Sequence, residues 1–281
     1  MIMALYGIDG KEATALYDIH GNEVVEVFDI HGNAVVESKS YDLIVMSYNV
    51  QKQGAMNNAN LQKEIIAKYK PNVIGMQEYR VSFEEAGHYF EYPYTVNNSA
   101  ALQNYDGILS KYELKDTGGT VFTVKYADPS GYVFGTFSYH GKEIYVLNVH
   151  LSPYGDDYSV YREPEIQEVL ELVNGKDYFI IIGDFNCHTV QDETSAEYVA
   201  LLKPFVDMGC HLANNCQEFG FNDTYTGSKT IENAVWTKID NIITSPNIEI
   251  VNAVVDKTKL NYVNGNLEID HLPVVAYLEV N

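Results

Sequence analysis

The stretch IIGDFNCH, residues 181–188, decides how this chain is read. Ile180, Ile181 and Ile182 read as a buried strand. Gly183 reads as the point where the backbone turns, and Asp184 and Asn186 follow with one residue between them. Side chains alternate along extended backbone, so positions 184 and 186 are expected to point the same way. A carboxylate and a carboxamide at the mouth of a buried strand can accept a proton or a metal at one atom and donate a hydrogen bond at the next. The competing explanation is an Asx turn that closes a strand. Five further clusters of polar residues at strand ends favour a site.

Working outward, residues 42–48 (DLIVMSY) form a strand with Asn49 at its end. Residues 60–69 place apolar side chains at 61, 65, 66 and 69, a helical spacing that Pro71 closes. VIGM follows as a second buried strand and ends on Gln77-Glu78, where a carboxylate beside an amide suits a hard cation. GILS at 107–110 is a short strand preceded by Asp106. Residues 131–139 and 143–149 alternate as a hairpin around His140-Gly141-Lys142, and the second arm ends in Asn148-Val149-His150. Residues 163–173 form an amphipathic helix with Arg162 at its start and Pro164 in its first turn. Residues 194–208 read as another helix and 210–235 as a loop-rich segment. KIDNIIT starts a strand at Asp240, and Glu268-Ile269-Asp270-His271 precedes the closing strand LPVVAYLEV. Positions 49, 78, 150, 184/186, 240 and 270/271 converge only if one sheet rim collects them. Asn, carboxylates and two histidines favour Mg²⁺ or Mn²⁺ over zinc. An adjacent Asp-His pair also supplies the oriented imidazole of general-base chemistry.

The chain has 281 residues, 46% of them hydrophobic, enough for one large domain and a small appendage. No apolar run reaches the ~18 residues of a membrane span. The opening MIMALYGIDG has no basic leader before an apolar core, so the expected location is cytoplasmic or otherwise outside the classical secretory route. Three cysteines without a CxxC pair argue against a disulfide framework or a structural zinc site. The net charge of −21 argues against non-specific nucleic-acid binding driven by counterion release. It leaves room for a nuclease that holds its substrate through a divalent metal. Arg80 and Arg162 are the only arginines, and a guanidinium fork grips carboxylate or phosphate as a lysine does not.

Residues 1–40 carry a repeat at a spacing of 11, with aromatics Tyr6, Tyr17 and Phe28, isoleucines two residues on and glycines two further. Turn formers alternate with β-branched residues, which predicts three short β-arms in a meander. So few apolar positions make a poor independent core. This extension is expected to serve as an arm for a protein partner or for self-association, or else to pack on the main domain at 41–281.

Taken together, SYNVQ with Asn49, IGMQEYR with Glu78, DGILSK with Asp106, LNVHLSP with His150, GDFN with Asp184 and Asn186, KIDNII with Asp240 and IDHLPV with Asp270 and His271 resemble the endonuclease/exonuclease/phosphatase superfamily. The resemblance covers residues 42–281. It implies an α+β fold, a four-layer α/β/β/α sandwich of two packed mixed β-sheets, beside the small N-terminal β-repeat extension. It also implies a Mg²⁺-dependent hydrolase of phosphate esters, with Mn²⁺ as an alternative ion. By the resemblance, Glu78 is the principal metal ligand, assisted by Asn49 and Asp270. His271, oriented by Asp240, is the general base, and Asp184 and Asn186 position nucleophile and phosphate. His150 donates to phosphoryl oxygens or assists the leaving group, with Asp106 as its candidate partner acid. Arg162 stands as a residue behind the site or on the phosphate. Lys238 and Asn241 depart from a family that often carries arginine and an aromatic there.

The superfamily spans nucleases, sphingomyelinases, inositol phosphatases and deadenylases, and fold does not choose among them. The aromatic stretch HYFEYPYTV at 88–96 would suit a bilayer-entering hairpin or a loop with tyrosines packed beneath it. Lys52, Arg80, Lys111 and Lys238 lie near the motifs in sequence, a thin basic set. The expected substrate is a phosphodiester handled in a nuclease-like way, with a lipid or small-molecule ester as the alternative. A binding module on an inactive scaffold would have lost one of Glu78, Asp184, Asn186, Asp270 or His271, and all five are present.

Overall fold

The structure is a computed structural model. It describes residues 41–50, 59–79, 82–97, 106–124, 130–153, 158–187, 194–213, 238–256 and 271–281, and the backbone of six short strand pieces elsewhere. The chain divides into two units, Met1–Tyr41 and Asp42–Asn281. In the first, Val27–Phe28 pairs antiparallel with Ala34–Val36. The other two arms of the expected meander lie outside the described residues.

The second unit is built on two six-stranded mixed sheets. One runs Ile248–Val255, Val274–Val280, Leu43–Asn49, Val73–Gln77, Gly107–Ser110, Tyr94–Asn97. The other runs His211–Leu212, Asp240–Thr244, Phe179–Asp184, Lys142–His150, Gly131–Tyr139, Lys115–Val121. Alternation along each strand sorts side chains into three cores. Leu43, Val45, Val73 and Ile108 of the first sheet meet Val146, Ile180, Ile182 and Ile242 of the second, so the sheets pack face to face. Met46, Tyr48, Ile74 and Met76 point the other way, onto Ile65, Ile66, Phe83 and Phe90 of the helices Ala59–Tyr69 and Phe83–Phe90. Leu147, Val149, Phe179 and Ile181 likewise cover Ile166, Val169, Leu201 and Phe205 of the helices Arg162–Val173, Ala196–Leu201 and Lys203–Asp207. The result is the helix-sheet-sheet-helix sandwich.

Several local expectations change. The helix foreseen over 194–208 is two helices broken at Leu202. Pro204 has no N–H to give and its ring crowds the preceding turn, so a helix restarts there. Gly183 lies inside the Phe179–Asp184 strand, paired with Val149 and Asn241. A Cβ at this position would stand 2.1 Å from Val149 O, so the glycine permits close strand approach and does not turn the chain. The aromatic stretch at 88–96 ends a helix at Phe90, reverses at Glu91 in a left-handed cap and enters the edge strand Tyr94–Asn97. Phe90 and Tyr92 are buried, and the Tyr92 hydroxyl donates to Pro71 O at 2.6 Å. This anchors the stretch in the helical layer, against the reading of a free aromatic hairpin. Among the described residues no helix is long and apolar enough to cross a membrane.

Candidate active site

The alternation that builds the inter-sheet core also builds the site. Leu43 and Val45 face the opposite sheet, so Ser47 and Asn49 do too. The same parity carries Val73 to Gln77, Ile108 back to Asp106, Val146 to Asn148 and His150, Ile180 and Ile182 to Asp184, and Ile242 back to Asp240. Strand register then aligns the ends: Asp184 sits between His150 and Asp240 on its two neighbours, and Asn49 lies beside Gln77. The apolar core thus gives way, at one rim, to polar residues contributed by both sheets.

Asn49 Nδ2 bridges the two sheets, donating to Asp184 Oδ2 at 3.1 Å and reaching Glu78 Oε1 at 3.5 Å. His271 Nδ1 lies 3.0 and 3.2 Å from the two Asp240 oxygens, and its Nε2 is 3.8 Å from Asp184 Oδ2. His150 repeats the pattern: Nδ1 is 3.5 Å from Asp106 Oδ1, and Nε2 is 3.8 Å from the same Asp184 oxygen and 4.0 Å from Glu78 Oε1. Glu78 is the most open of these groups, with its side chain 20% exposed. The others are nearly sealed.

Asn186 reaches the site differently from the expectation of a shared extended face. The strand ends at Asp184, and Asn186 adopts a left-handed φ of 48°. Its N–H donates to Asp184 Oδ1 at 2.9 Å and its Nδ2 to Leu151 O at 2.8 Å. The Asx turn is therefore present, and it does not take up the whole carboxylate. One Asp184 oxygen closes the turn while the other meets Asn49 and both histidines. Glu78 also has a left-handed φ, 58°, and its N–H donates to Asp106 Oδ1 at 3.3 Å. Such backbone costs a non-glycine residue about 1–3 kcal/mol, and its presence at two positions of one rim marks a constellation held by its surroundings.

Burial alone would lower the His150 pKa, but the Asp106 carboxylate 3.5 Å from Nδ1, with the charges of Asp184 and Glu78, outweighs it and raises it to about 9. Burial and the neighbouring Asp240 push the Asp184 carboxyl up, against the pull of the two histidines. A cationic imidazole and a tightly held carboxylate at one spot can respectively donate to and orient a reacting oxyanion and a nucleophile.

Asp270 lies outside the described residues, as do Lys52 and Arg80. Arg162 is not brought to the rim groups. Its guanidinium is buried, pairing with Glu197 at 2.8 Å and reaching Ser152 O at 3.4 Å. Of the two expected places for Arg162, behind the site or on the phosphate, these contacts fit the first, because a guanidinium closed off by helix packing has no surface to offer. Lys111 sits at the opposite end of its sheet. The Gly107–Ser110 strand runs antiparallel to Val73–Gln77, so it leads away from the rim, and Lys111 Nζ donates to Lys70 O at 2.8 Å. Lys238 is buried.

Sequence reading overlooked the group behind His150. Glu165, on the first turn of the Arg162–Val173 helix, accepts from Ser152 N at 2.8 Å, from Ser152 Oγ at 2.5 Å and from Ser130 Oγ. Burial raises its carboxyl pKa, while the serines and the His150 charge pull it down. With Arg162 on Ser152 O, this helix turn clamps both backbone sides of the segment that carries His150 and receives Asn186. The Arg-x-x-Glu spacing was visible, but its buried partners were not.

The donor set is oxygen-rich and suits a hard divalent cation, with Glu78 its most open member and the buried Asn49 and Asp184 beside it. One oxygen each of Asp184 and Asp240 and a His271 nitrogen also lie within 4.8 Å of one another. Glu78 Oε1 and Asp184 Oδ2, both reached by Asn49 Nδ2, form a second oxygen group at the same rim.

Known structures share this architecture. A mannosyl-6-phosphatase from Bacteroides thetaiotaomicron superposes with a TM-score of 0.64 at 17% identity, covering 85% of this chain and 100% of that one. TDP2 from D. rerio, complexed with single strand DNA product, gives a TM-score of 0.67 at 17% identity over 85% and 99% of the two chains. At these identities the likeness speaks for the fold alone. No functionally curated protein matches the sequence. The description "Endonuclease/Exonuclease/phosphatase family" matches residues 46–262, a span that holds every rim residue from Asn49 to Asp240, and the chain belongs to that family.

Proposed function

We propose that this protein is a divalent-metal-dependent phosphodiesterase that handles its substrate in a nuclease-like way. The observation that carries the reading is the convergence of two acid-backed histidines on one carboxylate oxygen, His150 with Asp106 and His271 with Asp240, beside Glu78 and Asn49.

Glu78 and Asn49, with Asp270, would hold Mg²⁺ or Mn²⁺, which when bound supplies positive charge to the phosphoryl oxygens. His271 Nε2 takes the proton of the attacking water while Asp240 keeps Nδ1 protonated and stabilises the resulting imidazolium. Asp184 Oδ2, between the two Nε2 atoms, orients that water. Asn186 fixes the Asp184 carboxylate through its backbone N–H. His150, held protonated at neutral pH, donates to a phosphoryl oxygen as charge builds there. The bond from water to phosphorus forms as the bond to the leaving oxygen breaks.

A second reading, hydrolysis of a small or lipid phosphate ester, is favoured by the net charge of −21, which repels a long polyanion. The named neighbours include both a sugar phosphatase and a protein solved with single strand DNA product. Bis-p-nitrophenyl phosphate, p-nitrophenyl phosphate and plasmid DNA, each with Mg²⁺, Mn²⁺ or chelator, separate the readings. Metal-dependent cleavage of the diester and the plasmid, lost in His271→Ala, is the expected result. Cleavage of small esters alone selects the second reading, and turnover of none of them sinks both.

A further inference from the structure

We infer that Asn148 is a positioning residue that sets the spacing of the two half-sites by stapling one sheet to the other. This rests on the metallohydrolase reading above and deepens it.

The rim is assembled from two sheets that share no backbone ladder. Asn49, Glu78 and Asp106 come with the sheet containing Val73–Gln77 and Gly107–Ser110. His150, Asp184 and Asp240 come with the other. Between them lies a core of Leu, Val and Ile, whose packing is non-directional and tolerates small slides. A site that depends on Asn49 reaching Asp184 at 3.1 Å needs a directional tie.

Asn148 provides one. It stands two residues before His150, faces inward on the same parity and is completely buried. Its Nδ2 donates to Met76 O and to Gly107 O, both at 2.9 Å and both on the facing sheet. Its Oδ1 accepts from Gln77 Nε2 at 2.6 Å. Both amide protons and the carbonyl are thus used. The three contacts bracket Glu78: Met76 and Gln77 directly precede it, and Gly107 follows Asp106, which holds the Glu78 N–H.

The fold makes room for this side chain. A Cβ at Gly75 would lie 2.7 Å from Asn148 Oδ1 and 2.6 Å from Ile182 Cγ2. That glycine has an ordinary negative φ and is required by the approach of the facing sheet, not by backbone conformation. A buried carboxamide among aliphatics is worth keeping only where fixed geometry matters, since an apolar residue would fill the volume at lower desolvation cost.

The test is Mn²⁺ binding followed by electron paramagnetic resonance on chelator-stripped protein, beside kcat and KM for bis-p-nitrophenyl phosphate. Asn148→Ala should bind Mn²⁺ about tenfold or more weakly, as loss of an outer-shell partner does, with kcat falling and KM little changed. Asn148→Asp, equal in size but without the two donors, should behave alike. Gln77→Met removes only the third contact, and should give the same direction with a smaller shift; it decides the matter if the position-148 variants do not fold. Wild-type Mn²⁺ affinity in folded Asn148→Ala or, failing that, in Gln77→Met would overturn the inference and leave Asn148 as a packing residue. Wild-type protein that binds no Mn²⁺ would instead overturn the metalloenzyme reading itself.

Discussion

His150 and His271 present Nε2 to the same atom, each 3.8 Å from Asp184 Oδ2, although His150 ends the Lys142–His150 strand of one sheet and His271, 121 residues on, precedes the Val274–Val280 strand of the other. Each is backed by a carboxylate at Nδ1, Asp106 at 3.5 Å and Asp240 at 3.0 Å. The site is therefore close to symmetrical in its parts, while the proposed mechanism gives the halves different tasks. His150 sits among three carboxylates, Asp106, Asp184 and Glu78, which raise its pKa to about 9; in the proposed mechanism it is the donor and His271 the base.

That division predicts unequal losses. His271→Ala should lower kcat on bis-p-nitrophenyl phosphate by about 10²–10⁴-fold, the range for a general base. His150→Gln keeps a donor without the charge and should lose less. Steady-state rates at saturating Mg²⁺ check both, and equal losses would argue against the assigned roles.

Chelator-treated protein should lose stability as pH rises. The folded pKa of His150, about 9, lies above its ordinary value of 6.5. Protonation therefore favours the folded state fully below about 6.5, and this contribution is lost as pH climbs through about 9. Urea titrations at several pH values should show that decline, and His150→Gln should flatten it.

Glu78 is the most open carboxylate among the described rim residues, so Glu78→Gln should act on the cation first. Half-saturating Mg²⁺ should rise by at least the roughly 10–100-fold that losing an outer-shell partner costs. Isothermal titration with Mn²⁺ reads the same shift without turnover.

Arg162→Met tests a scaffold role against a phosphate role. Breaking its buried pair with Glu197 should cost about 3–5 kcal/mol in denaturant unfolding. KM for the diester should stay at the wild-type value in the folded protein. A raised KM with unchanged stability would restore the phosphate contact.

Gly183→Ala should be worse than its position in a strand suggests. The new methyl would sit 2.1 Å from Val149 O, a backbone atom that cannot swing aside. Overpacking of this kind costs about 3 kcal/mol or more, and thermal unfolding of the purified variant measures it.

What the sequence determined by itself was local and periodic. The alternation through Val45, Val73, Val146, Ile182 and Ile242 fixed which faces are buried, and so placed Asn49, Asp184, His150 and Asp240 at strand ends with their polar groups on the core side. The order of the motifs then matched one family and one sandwich. Tertiary structure alone decided the cross-sheet partners: Asn148 on Met76 O and Gly107 O, Arg162 on Glu197, and Glu165 on Ser130 and Ser152. It also carried Lys111 away from the rim and gave Gly183 its purpose. Periodicity reports which way a side chain points because the backbone repeats within one strand. It holds no record of what lies opposite, since that partner is set by how two sheets, each indifferent to the other along its own length, lock through an apolar core.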